Sequence, residues 1–168
     1  MRILFSGAFN PAFEALPEAL VAALGSLGHS VAVFDHRAFF LPGRLRHRVP
    51  FLDRYDRRRL NAALLGRVRS FRPDQLVVNQ GMTLDPGTIR RVRESGVRTV
   101  DWFSDYPAEF ERGLEAAPAY DAFHIASSWA AARHRETGRE SPRARPAGSR
   151  PGPARRWPRR RFASRRSG

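Results

Sequence analysis

The segment TVDWFSDYP, Thr99 to Pro107, places two carboxylates, a serine hydroxyl and three aromatic rings within nine residues. That mixture suits a carbohydrate. Ring faces pack on sugar C–H surfaces, a carboxylate accepts from hydroxyls, and a carboxylate beside a reacting hydroxyl can take its proton as a general base. Asp105 is the candidate catalytic base, with Trp102 and Tyr106 as candidate binding residues. The same Asp105, or Ser104, would also serve as N-cap of the helix-forming run AEFERGLEAA that follows, which explains the carboxylate without any ligand. Asp101 falls inside the apolar part of the segment. There it needs a partner, such as Arg98 or a backbone N–H, to offset the cost of burial.

Two other loops carry polar groups in usable patterns. In NQGM, Asn79 and Gln80 offer paired amide donors and acceptors that could read sugar hydroxyls, or could satisfy loop backbone, and Gly81 permits an unusual backbone angle. In SGAFNP, Gly7 allows a tight turn or close approach of backbone to a ligand, and the segment through Asn10 could present N–H groups to an anion.

Several chemistries are excluded by what is missing. The chain has no cysteine, so disulfides, thiolate metal sites and cysteine nucleophiles are absent, and a reducing, cytoplasmic setting is expected. All 30 basic Lys+Arg residues are arginine, which removes P-loop and Schiff-base chemistry. The five histidines show no metal-binding spacing, no D-x-D pair occurs, and the serines lack a G-x-S-x-G elbow. Asp35 stands where a dinucleotide fold keeps its ribose acid, but without G-x-G-x-x-G it is as readily a strand-end turn residue. No metal and no resident cofactor are expected.

The elements that must position these residues alternate along the chain. Strands are expected at RILFSG, SVAVFD, DQLVVNQ, VRTVDWFS and DAFHIAS. Between them run helix-period segments: one with Leu16, Leu20, Val21, Leu24 and Leu27 on a face and Gly28 at its C-terminal end, one with Leu60, Leu64, Val68 and Phe71, and one opening at Asp85-Pro86 and stopping at Gly96. This βα alternation predicts a three-layer, Rossmann-like, doubly wound α/β domain over residues 1–138, with a parallel five-stranded sheet of order 3-2-1-4-5. Ligands of such sheets bind outside the carboxyl ends of the strands, where the loops above fall. No run approaches the roughly 18 apolar residues needed to span a bilayer, so no membrane span is expected.

The charge is unevenly spread. Of the net +14, residues 139–168 hold 11 arginines and one acid, and they consist almost wholly of Arg, Pro, Ser, Ala and Gly. Such a tail cannot bury enough apolar surface to offset its ordering entropy, so disorder is expected. It reads as a basic arm for nucleic acid or acidic partners, as an inert extension, or as the product of a shifted reading frame that truncates the authentic chain.

Taken in order, MRILFSG, LGHSVAVFD, RPDQLVVNQG with LDPGTIRRVRESG, TVDWFSDYP and YDAFHIAS resemble the amino-terminal part of the CgeB-type (spore maturation protein-like) GT-B glycosyltransferase family, over about residues 1–138. Family members typically carry Asp-Asp-Pro where this chain has Asp105-Tyr106-Pro107, so only Asp105 matches. The resemblance implies two facing Rossmann-like halves, the first holding a glycan or small-molecule acceptor and the second a nucleotide-sugar donor. It implies sugar transfer without an obligatory metal. The donor half would lie outside these 168 residues, leaving this chain inactive alone. The alternative is a small α/β binding module with a nucleic-acid-binding tail.

Overall fold

The computed structural model describes residues 1–9, 16–103 and 110–125, together with 132, 136, 145 and 146. Five parallel strands form the sheet: β1 (Arg2–Gly7), β2 (Ser30–Asp35), β3 (Gln75–Asn79), β4 (Arg98–Phe103) and β5 (Ala122–Ile125). A two-residue sixth segment, β6 (Arg145–Pro146), pairs in parallel with His124 and Ile125. Those two residues of the expected disordered tail are therefore sheet-paired; the rest of 139–168 lies outside the described residues.

The helices are α1 (Leu16–Ser26), α2 (Gly43–Arg48), α3 (Pro50–Phe71), α4 (Pro86–Glu94) and α5 (Phe110–Ala116), the last running into a 3₁₀ turn at Ala117–Ala119. Gly28 and Gly96 end α1 and α4 with φ of +81° and +87°, the left-handed conformation expected at Gly28 and found also at the Gly96 stop. α3 ends differently. Arg72 itself takes φ +49°, with its N–H on the Val68 carbonyl. Pro86 occupies the first turn of α4 as expected, but the Asp85 side chain makes no capping bond; the Asp85 N–H is instead held by Asn61 Oδ1 at 2.9 Å. The short α2 has no signal in the sequence, because its arginine-rich run GRLRHR has no apolar period.

The strand order is β2-β1-β3-β4-β5, which corrects the expected 3-2-1-4-5. Both β2 and β3 read as continuous apolar runs, so sequence does not say which lies inside. The fold puts β3 inside, where Leu76 and Val78 are fully buried, and leaves β2 at the edge with Ala32 as its one buried residue. The 22-residue α3 spans about 33 Å, enough to carry the chain back over β1 and deliver β3 on its far side.

One face of the sheet carries the main core. Leu4, Ala32, Leu76, Val78 and Phe103 pack there with Leu64 and Val68 of α3, Ile89 and Val92 of α4, and Tyr120. Each fully buried Leu, Ile, Val or Phe among them contributes about 1.5–3 kcal/mol of transfer free energy. The opposite face receives α1, whose Pro17 lies close over Gly7. Only the middle of the predicted α1 stripe is covered: Leu20, Val21 and Leu24 are half-buried, whereas Leu16 and Leu27 are exposed.

Candidate functional site

Parallel pairing turns the period-two alternation of each strand into rows that cross the whole sheet. At the carboxyl ends, two adjacent rows have opposite characters. On the α1 side, Asp35 pairs with Gly7, Asn79 with Trp102, and Trp102 with His124. The β1–β3 pair places Asn79 one residue beyond Val78, as Gly7 is one beyond its partner Ser6. Asp35, Gly7, Asn79, Trp102 and His124 thus form one polar and aromatic row. The next row, on the helix-covered side, runs Phe34, Ser6, Val78, Asp101, Phe123.

The crossover to β2 leaves β1 in one direction and the crossover to β4 leaves β3 in the other, so the topological switch point lies between β1 and β3. Gly7, Asn79 and Gln80 meet there. Trp102 is 43% exposed, while Asn79 is buried. Asn79 Nδ2 donates to the Trp102 carbonyl at 3.3 Å, and the Gln80 backbone N–H donates to the same oxygen at 3.2 Å. The Asn79 amide is therefore at least partly committed to backbone, one of the two roles open to it from sequence.

The glycines owe their identity to space. A Cβ on Gly7 would lie 2.9 Å from the Phe5 ring and 3.0 Å from Pro17 Cβ, so close packing under α1 requires glycine. A Cβ on Gly81 would lie 2.7 Å from Val78 Cγ1 and 2.8 Å from the Tyr120 hydroxyl. The unusual backbone angle expected at Gly81 belongs to Gln80, with φ +56°. Asp35 accepts the Arg37 N–H at 2.8 Å, which is strand-end turn chemistry. Asn10, Asp105 and Tyr106, including the candidate base, lie outside the described residues.

On the covered side, three polar groups escaped the sequence reading in part. Ser6 Oγ meets His36 Nδ1 at 3.2 Å, both buried. Burial drives the His36 pKa down to about 4, with Arg37 adding to the effect and Asp35 opposing it, so the imidazole is neutral at physiological pH. Asp101, 1% exposed, has the alternation expected of it and finds backbone rather than Arg98. Burial pushes its pKa up to about 8, against the pull of the Gly81, Gln80 and Trp102 amides. No pattern in one sequence pairs Ser6 with His36, because the two are 30 residues apart and meet through strand register.

The β2–α3 connection is braced by charge. Asp56, buried, accepts the N–H groups of Phe40 at 3.1 Å and Leu41 at 2.9 Å, and lies 3.7 Å from Arg46 Nε. Arg46 also pairs with Asp53 at 2.9 Å and stacks on Phe39. These bonds occupy the acid beside a cleft of about 440 Å³ walled by Phe39, Phe40 and Arg59. Among the described residues, no group of three or more His, Asp and Glu could hold a metal ion, and no helix is long and apolar enough to cross a membrane.

Fold and site together define a doubly wound α/β domain with a tryptophan-bearing polar row at the carboxyl ends of its strands. Comparison with protein-family models, curated proteins and solved structures finds no match to the chain.

Proposed function

We propose that this domain is the acceptor-side half of a GT-B-type glycosyltransferase, holding a glycan or small-molecule acceptor while a second α/β domain supplies the nucleotide-sugar. One observation carries the reading. A half-exposed Trp102 stands at the carboxyl end of the sheet, flanked in register by Asn79 and His124, beside the switch point where open α/β sheets bind ligands. The ring offers a flat apolar surface for sugar C–H groups, and the flanking polar residues offer hydrogen bonds. Asp105, two residues beyond β4, is the proposed base that would take the acceptor proton. The resemblance of residues 1–138 to the CgeB-type family supports the assignment.

The test is glycan binding followed by saturation-transfer NMR on the full chain. Binding of an oligosaccharide that is lost in Trp102→Ala, with the fold retained, supports the proposal; so does absence of nucleotide-sugar hydrolysis by the chain alone. Robust turnover by the isolated chain, or glycan binding indifferent to Trp102, overturns it.

A second reading, a nucleic-acid-binding module, draws on the exposed arginines of α3 and α4. Arg54, Arg58, Arg67, Arg69, Arg90 and Arg91 all face solvent. Arg46 of α2 and Arg57 of α3 are ion-paired with Asp53, and Arg46 also with Asp56. A salt-dependent RNA or DNA affinity that survives deletion of residues 139–168 would favour this reading over the first.

A further inference from the structure

The covered side of the sheet holds a cleft of its own. It has a volume of about 210 Å³ and opens between α3, the start of α4 and α5, with Asp101 in its wall. Asp101 is 1% exposed, and its Oδ1 has no hydrogen-bond partner among the described residues. Leaving a buried carboxyl oxygen unpaired costs about 1–3 kcal/mol, an expense that a ligand entering the cleft would remove.

The charges around the opening balance. Arg57 and Arg112 line the cleft together with Asp85 and Glu115, and Arg57 Nε is already held by Asp53 at 2.7 Å. A cation or an anion would therefore meet repulsion as well as attraction. The remaining surface is apolar, supplied by Met82, Leu84 and Phe103. A hydroxyl both donates and accepts, so it complements a carboxyl in either protonation state.

We propose that this cleft is a binding site for a small uncharged polyhydroxy ligand, with one ligand hydroxyl on Asp101 Oδ1 and its C–H surface on Met82, Leu84 and Phe103. The site is on the opposite sheet face from the Trp102 row. It does not depend on the sugar-transfer reading.

The experiment titrates the ¹⁵N-labelled full chain with glucose and with glycerol, and in parallel with methylammonium and inorganic phosphate. The expected result is a saturable shift of the Gly81, Met82 and Ala116 amide resonances with glucose or glycerol, unchanged in Trp102→Ala. Affinity should fall about tenfold in Asp101→Leu, the equivalent of one lost hydrogen bond to a buried group. Because Asp101→Leu could fail to fold, Ala116→Phe provides a second variant that fills the cleft from a half-buried wall position on α5; it should abolish the shifts. Shifts that survive Ala116→Phe, shifts that never saturate or fall only elsewhere, or tighter binding of methylammonium or phosphate than of both polyols would overturn the proposal.

Discussion

Gly81 and Asp101 are built around each other. The Gly81 amide lies against the buried Asp101 carboxyl, and the missing side chain at 81 leaves room for Tyr120, whose hydroxyl would otherwise sit 2.8 Å from a Cβ. Tyr120 is fully buried, and its own ionisation is pushed upward by burial and by the nearby Asp101. The loop after β3, the acid of β4 and the tyrosine two residues before β5 thus share one tightly filled volume.

Gly81→Ala should destabilise the fold by about 1–3 kcal/mol, the usual cost of overpacking a site where neighbours must shift. Val78 and Tyr120 both belong to the packed interior, and neither contact is the end of a flexible chain. Urea unfolding of the two proteins checks the figure; equal midpoints would mean that the loop after β3 yields freely.

Asp101 makes stability depend on pH in an unusual direction. Its pKa is raised from 3.8 to about 8, so the native state keeps a proton that the unfolded chain has released. Between about pH 4 and pH 8, stability falls as pH rises, by up to about 1.4 kcal/mol per unit from this group, and levels off above. Asp101→Asn cannot ionise. Its stability relative to wild type should therefore climb from pH 5 to pH 8 in parallel denaturation series, and a flat difference would contradict the assignment.

His36 acts at the acid end. With its pKa lowered from 6.5 to about 4, the unfolded chain takes up a proton that the native state refuses. Stability from this group is fully present above pH 6.5 and is lost as pH falls toward 4, at up to about 1.4 kcal/mol per unit. His36→Gln should shrink that loss while lowering stability at pH 7 through the broken Ser6 contact. Thermal unfolding between pH 4.5 and 7 distinguishes the two slopes.

Removing Asp56 strips two loop amides and Arg46 of a partner at once. Asp56→Ala should cost about 2–4 kcal/mol, because the Phe40 and Leu41 N–H groups lose their acceptor and a mostly buried guanidinium keeps only Asp53. Asp56→Asn retains an acceptor and should cost less. Hydrogen exchange at Phe40 and Leu41 reports the loss directly: their protection should collapse in Asp56→Ala, and unchanged protection would refute the bracing role.

What the sequence alone determined is local. Strands β1 and β2 fall on the residues their apolar runs predicted, Gly28 and Gly96 stop their helices, and Leu60, Leu64 and Val68 face inward, because a two-residue or 3.6-residue period encodes which face is buried. Asn79, Gln80 and Trp102 could be picked out for the same reason, as polar or exposed residues at the ends of apolar strands. Tertiary structure decided everything that rests on register between distant segments. It put β3 rather than β1 beside β4 and moved β2 to the edge, moved the strained angle from Gly81 to Gln80, gave Gly7 to Pro17, and brought Ser6 to His36. It also set Asp101 against backbone amides, with Oδ1 lacking a hydrogen-bond partner among the described residues. Those outcomes depend on which strand lies beside which. Side-chain periodicity carries no information about that choice, since several apolar strands compete for the same central positions and only the packing of the whole sheet resolves them.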